Sequence, residues 1–309
     1  MNQTKSILIT DKVHPFLIDK LKNDGHEIDY RPKLPLSETL KIVQNHHGII
    51  VNSKTICDQN LIDKADNLQF IGRLGSGLEI IDLNYAKAKS IHVIRTPEAN
   101  CDAVAEQALG MLLSLFNNLK IANAQLKDLN WQREENRGIE IRGKTIGIIG
   151  FGHTGPAFNN LLKSFGAKII IYDKYKAPYD SKELLEKIKN EANIISIHLP
   201  LTQETIGFVN KEFIRECKNS FFLINTARGK NIILKDIING LDEGKILGAC
   251  LDVFENEKPT TYSTAERNSY RNIHSRINVI STPHVAGWTH ESLLRIAKSM
   301  LRQIREINF

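Results

Sequence analysis

Three side chains that together can move a proton and hold an anion stand just past apolar runs in the second half of the chain. Arg228 lies in NTARGK (225–230), after FFLIN; Glu257 lies in LDVFENEKP (251–259), after ILGAC; His284 lies in STPHVAGWT (281–289), after NVIS. An imidazole is the side chain best placed to give or take a proton near neutral pH. A neighbouring carboxylate orients the ring and favours its charged form. A guanidinium grips an anion through its planar fork and polarises a developing carbonyl. This set suits the interconversion of a hydroxyl and a carbonyl. Singly, each has an ordinary alternative: Arg228 as a strand cap, Glu257 as one of several surface acids, His284 as a satisfied core histidine. At successive strand ends on one sheet edge, they read as one site.

The electron carrier is legible upstream, in residues 143–173. An apolar strand runs into Gly150-Phe151-Gly152-His153-Thr154-Gly155, a helical pattern follows, and a second strand ends on Asp173. This is the dinucleotide fingerprint in the setting it requires. Gly150 allows the tight turn, Gly152 lets the backbone approach a pyrophosphate, and Gly155 lets helix and strand pack closely. Helix N-terminal amides would receive the pyrophosphate. Asp173 can accept from both ribose hydroxyls and repels a 2′-phosphate, which predicts NAD over NADP.

These residues need a doubly wound scaffold. Strands are expected at 6–10, 48–51, 68–73 and 91–94, alternating with helices, which predicts a small parallel βα domain. Further strands at 194–198, 221–225, 246–250 and 279–281 predict a six- or seven-stranded second sheet. Residues 255–278 read as a polar loop with a short helix. The tail from 290 reads as an amphipathic helix returning to the first domain. The expected division is 1–99 plus 289–309 for substrate and 100–288 for NAD, two Rossmann-like or flavodoxin-like domains with a cleft between them. The helix at 100–119 is apolar nearly all round. It is expected to be buried between domains or against a second subunit, which predicts a homodimer.

Composition bounds the rest. The 309 residues carry 41 Lys and Arg against 35 Asp and Glu, a net charge of +6. The basic residues are dispersed and carry no nucleic-acid-binding signature, so no nucleic-acid partner is expected. No apolar run approaches the roughly 20 residues that a membrane helix needs, and no secretory leader is apparent. Cys57, Cys101, Cys217 and Cys250 have no metal-ligand spacing; they read as reduced thiols of a cytoplasmic protein without a metal site.

In the order and spacing of GRLGSGLEIID (72–82), PEANCDAVAE (97–106), the fingerprint, NTARG, LDVFENEKP and TPHVAG, the chain resembles the D-isomer-specific 2-hydroxyacid dehydrogenases over nearly its whole length. The resemblance implies that Arg228, Glu257 and His284 act as a triad, with Glu257 and not Glu255 at the catalytic position. It implies that the backbone amides of Ser76 and Gly77 bind the substrate carboxylate, with Asn100 nearby. It implies that His153, Thr154, Thr226 and Asp252 touch NAD, Asp252 at the nicotinamide carboxamide. Within the family the short phosphoglycerate dehydrogenases are most similar, so oxidation of 3-phospho-D-glycerate, as in serine biosynthesis, is the leading expectation. Arg73, and Arg133 reaching in from a second subunit, would hold the phosphate. Asn52, where a third arginine is expected, departs from that pattern. The alternatives are a glyoxylate, hydroxypyruvate or D-lactate enzyme acting on another small anionic 2-oxoacid, and an NAD(H)-sensing scaffold of the corepressor kind. The chain is also expected to lack the serine-sensing C-terminal domain of longer relatives.

Overall fold

The computed structural model describes residues 4–307 and 309. Two compact units emerge: Met1–Asn100 with Trp288–Phe309, and Cys101–Gly287. In the first, strands and helices alternate as β1 (Ser6–Ile9), α1 (Pro15–Asn23), β2 (Glu27–Tyr30), α2 (Leu36–Ile42), β3 (Gly48–Val51), α3 (Gln59–Asp63), β4 (Phe70–Arg73), α4 (Leu83–Ala88) and β5 (His92–Arg95). The five strands pair in parallel in the order β2-β1-β3-β4-β5. Side chains alternate between faces along each strand. Ile7, Ile9, Ile50 and Phe70 pack with Ile296, Ala297 and Met300 of the C-terminal helix His290–Ile307. Leu8, Ile49, Val51 and Ile71 pack on the opposite face with Leu61 and Ala86. Gly72 admits the C-terminal helix closely, since a Cβ there would lie 2.8 Å from the Met300 sulfur.

The second unit holds α5 (Cys101–Phe116), α6 (Leu119–Lys127), β6 (Thr145–Ile149), α7 (Thr154–Leu162), β7 (Lys168–Tyr172), α8 (Lys182–Glu191), β8 (Ile194–Ile197), α9 (Lys211–Glu216), β9 (Phe221–Asn225), α10 (Leu234–Asp242), β10 (Ile246–Leu251), α11 (Thr264–Ser275) and β11 (Val279–Ser281). Its six-stranded parallel sheet runs β11-β10-β9-β8-β6-β7. The chain leaves β6 toward β7 on one side and returns on the other as β8. The strand order therefore reverses between β6 and β8, the crevice where open α/β sheets bind ligands.

Two readings change and one is sharpened. Met111, Leu112, Leu115 and Phe116 of α5 are buried with Ile146, Ile148, Phe158 and Phe222 in the core of the second unit itself. The apolar surface of α5 therefore covers its own sheet and gives no ground for a second subunit. The polar stretch at 255–278 contains a twelve-residue helix, α11, started by a capping box between Ser263 and Glu266. The first sheet has an unforeseen strand, β2, an edge strand that is half exposed and so lacks an apolar run.

Candidate active site

The fingerprint loop leaves β6 with Gly150 at φ +95°, in the left-handed region. A Cβ there would sit 2.5 Å from the His198 carbonyl oxygen, and one on Gly155 would sit 2.3 Å from the Gly150 oxygen. Both are glycines because backbone occupies the space. Gly152 differs: a Cβ there would meet no protein atom within 4 Å. Its bareness leaves room at the mouth of α7, where free helix amides would face a bound phosphate. His153 stands exposed at the N-cap of α7 without a side-chain cap bond. Asp173 closes the loop: its carboxylate accepts from the amides of Phe151 at 2.6 Å and Tyr175 at 3.0 Å. The Thr226 hydroxyl, just past β9, is buried with no hydrogen-bond partner among the described residues, although a buried hydroxyl normally has one. The open space at Gly152, the acid beside the loop and this orphan hydroxyl fit a dinucleotide along the carboxyl ends of the strands.

His198, which in sequence reads only as the end of a strand, lies just past β8 at the strand-order reversal. Its ring contacts Ser196 Oγ at 2.9 Å and Thr154 Oγ1 at 3.2 Å, so it ties β8 to the first turn of α7. Burial drives its pKa down to about 4, so the ring is neutral at pH 7. Its position opposite the fingerprint in a βαβ unit was the available signal.

His284 and Glu257 meet: ring Nδ1 lies 2.7 Å from Glu257 Oε2. An ionised carboxylate only accepts, so Nδ1 carries the proton and Nε2 is left to face a substrate. Burial pushes the Glu257 pKa up, but the His284 hydrogen bond and charge, the Phe254 amide and the Arg228 charge outweigh it, and the net shift is downward. Arg228, half buried past β9, donates from Nη1 to the Ala227 carbonyl at 2.8 Å. A Cβ on Gly229 would lie 1.9 Å from Phe254 backbone atoms, so this glycine lets the Arg228 and Glu257 loops touch. Glu255 points elsewhere, accepting from the Leu234 amide at 2.7 Å at the start of α10.

Asp252 has a task the sequence did not disclose. It is 1% exposed and accepts from the amides of Val285 and Ala286, both at 2.9 Å, and from the Thr282 hydroxyl. Its carbonyl oxygen takes the His284 amide at 2.7 Å. His284 sits at φ +55°, a conformation that costs a non-glycine residue about 1–3 kcal/mol unless its surroundings impose it. Asp252 imposes it.

In the first unit, the loop after β4 turns at Gly75, φ +131°. Among the described residues, no group takes up the amides of Ser76 or Gly77, so two N–H donors remain for an anion. Arg73 folds beneath this loop: Nη1 donates to the Leu74 carbonyl at 2.7 Å and packs where a Gly75 Cβ would be. The backbone N–H of Asn52 donates to the Asp11 carboxylate at 2.8 Å. Asn100 is half buried immediately before α5, and Arg133 is exposed in the turn after Trp131. Among the described residues no group of three or more His, Cys, Asp or Glu side chains could hold a metal ion, and no helix is long and apolar enough to cross a membrane.

The family model for the NAD binding domain of D-isomer specific 2-hydroxyacid dehydrogenases matches residues 109–286. The chain is 35% identical over 274 residues to a hydroxypyruvate reductase of Thermotoga maritima, covering 88% of each. It is also 35% identical, over 97% of its length, to a D-3-phosphoglycerate dehydrogenase of Methanocaldococcus jannaschii, of which it spans 57%. Among solved structures, a D-lactate dehydrogenase from Aquifex aeolicus, complexed with NAD and lactic acid, superimposes with a TM-score of 0.84 at 28% identity, covering 98% of this chain and 95% of that one.

Proposed function

The chain belongs to the D-isomer specific 2-hydroxyacid dehydrogenase family and has its NAD-binding domain, and we propose that it reduces a small 2-oxoacid of the hydroxypyruvate class. The observation that carries the chemistry is the His284–Glu257 pair beside Arg228. Bound NADH would supply the hydride. His284 gives its Nε2 proton to the carbonyl oxygen as that oxygen gains charge, and takes it back in the oxidative direction. Glu257 holds the ring by Nδ1 and stabilises the imidazolium. Arg228 grips the substrate carboxylate and polarises the carbonyl. In the first unit the Ser76 and Gly77 amides offer donors to an anion; in the second, Gly150, Gly152, Gly155, His153, Thr154, Thr226 and Asp173 serve the cofactor, while Asp252 is a positioning residue that sets the His284 backbone.

The placement of Arg73 favours an unphosphorylated substrate. Its guanidinium is spent in part on its own loop, and Asn52 brings no charge to the neighbouring strand end. A second reading, oxidation of 3-phospho-D-glycerate, is favoured by Arg133 and by the phosphoglycerate dehydrogenases among the relatives. The test is steady-state turnover with NADH and a panel of hydroxypyruvate, glyoxylate, pyruvate and 3-phosphohydroxypyruvate, in wild type and Arg73→Ala. An equal loss on all substrates supports the first reading. A loss of about ten- to a hundredfold confined to the phosphorylated substrate, the size of one or two charge-assisted hydrogen bonds, supports the second. Binding of NADH without turnover of any 2-oxoacid would leave a dinucleotide-sensing scaffold.

A homodimer belongs to the same proposal on new grounds. Leu119 and Leu126 of α6 are 54% and 52% exposed, and Leu129 and Trp131 beyond it are 94% and 82% exposed. Clustered exposed apolar side chains of this size mark an interaction surface.

A further inference from the structure

Past the end of β7 come Asp173, Lys174, Tyr175 and Lys176, an acid followed closely by two cations. From the sequence, either lysine is able to offset Asp173 and welcome a 2′-phosphate. In the structure both are engaged. Lys176 donates to the Phe151 carbonyl at 3.0 Å, with its ammonium 5.4 Å from the Phe151 ring centre, and so is bound to the fingerprint loop itself. Lys174 Nζ lies 2.7 Å from Glu204 Oε2, and the Tyr175 hydroxyl donates to the same oxygen at 2.6 Å. Glu204 is held in a turn after β8 in which Thr205 Oγ1 accepts from the Thr202 amide at 2.8 Å and donates to the Pro200 carbonyl at 2.6 Å.

We propose that Glu204 is a cofactor-specificity residue: by holding Lys174 and Tyr175 it withholds the cation that a 2′-phosphate would need. The inference rests on the NAD-binding reading of this domain. Discrimination against NADPH then has two parts, repulsion by Asp173 and sequestration of Lys174 by Glu204. The charge balance supports it. Asp173 and Glu204 offset Lys174 and Lys176, so the rim is neutral, whereas a phosphomonoester brings close to two negative charges. Removing the Glu204 charge makes the rim net positive and releases a long, exposed side chain one residue from the acid that reads the ribose. NADH has no group there to respond.

The experiment measures dissociation constants for NADH and NADPH by nicotinamide fluorescence in wild type, Glu204→Gln, Lys174→Ala and the double variant, with kcat/KM for both cofactors alongside. Glu204→Gln is expected to tighten NADPH about five- to tenfold while NADH changes by less than about twofold, and the gain is expected to vanish in the double variant. Three results overturn the proposal: an unchanged NADPH-to-NADH ratio in Glu204→Gln, a gain that survives without Lys174, or a wild type that binds both cofactors equally. The binding measurement needs no 2-oxoacid, so it discriminates equally well if the physiological substrate differs from the one proposed above.

Discussion

Replacing His198 by Asn tests the buried relay beneath the cofactor loop. His198 is buried, bonds Ser196 and Thr154, and has its pKa lowered by burial from 6.5 to about 4. Between those two values the unfolded chain binds a proton that the folded chain does not. Stability is therefore complete above about pH 6.5 and falls as pH drops toward 4. The slope is at most about 1.4 kcal/mol per pH unit, so acidification from pH 7 to pH 5 costs about 2 kcal/mol through this group alone. Asn has no titrating group but keeps an amide able to serve one of the two hydroxyls. The variant should be less stable at pH 7 yet lose about 2 kcal/mol less than wild type on going to pH 5. Urea unfolding followed by circular dichroism at pH 7, 6 and 5 reads this difference. His26, His47 and His274, whose pKa values are also lowered, chiefly by burial, titrate in both proteins and cancel. Parallel loss of stability in the two proteins would refute the buried-neutral assignment.

His284→Ala should reduce turnover by about 10²- to 10⁴-fold, the usual worth of general acid–base catalysis, with NADH binding retained in a fluorescence titration. Glu257→Gln should cost less, with NADH binding again retained, because the amide oxygen still accepts from Nδ1 but brings no charge to balance a protonated ring; undiminished turnover would separate Glu257 from proton transfer. Asp173→Ala should raise the NADPH-to-NADH ratio of kcat/KM, and equal use of both cofactors by wild type would remove Asp173 from ribose recognition. Light scattering at micromolar protein should give about twice the 35.0 kDa chain mass; a mass equal to one chain would leave the apolar patch at Leu126 and Trp131 without a second copy of this chain.

What the sequence disclosed was whatever is fixed locally. Gly150 and Gly155 are read from spacing because a turn and a helix–strand contact each exclude a side chain within a few residues. Arg228, Glu257 and His284 are read because buried parallel strands are short apolar runs, and their ends locate a sheet edge. The readings that failed depended mostly on context beyond a few residues. The burial of α5 was foreseen, but its partner was not: an apolar helix does not say which surface it covers, and here Phe116 meets Phe222, far along the chain, edge to face at 4.7 Å. β2 escapes a reading by hydrophobic runs because an edge strand need not be apolar. The capping box that starts α11 is present in STAE but hard to see, because the surrounding residues are so polar.

Asp252 shows most clearly why part of the site stayed hidden. In sequence it is an acid beside a strand end, indistinguishable from a ligand for the cofactor. In space its carboxylate gathers the backbone of residues 282–286 from the neighbouring strand end, β11 lying next to β10 in the sheet. That pairing turns a short-range fact, the parallel register of Leu251 with Ser281, into a catalytic one. It sets His284 in a left-handed conformation that the histidine would not choose alone and points Nδ1 at Glu257, which the same loop after β10 supplies. The strain is local, whereas the constraint comes from a residue far along the chain. A search for catalytic side chains by residue type finds His284 and Glu257. The reason they meet lies in the sheet order, which brings the ends of β10 and β11 side by side.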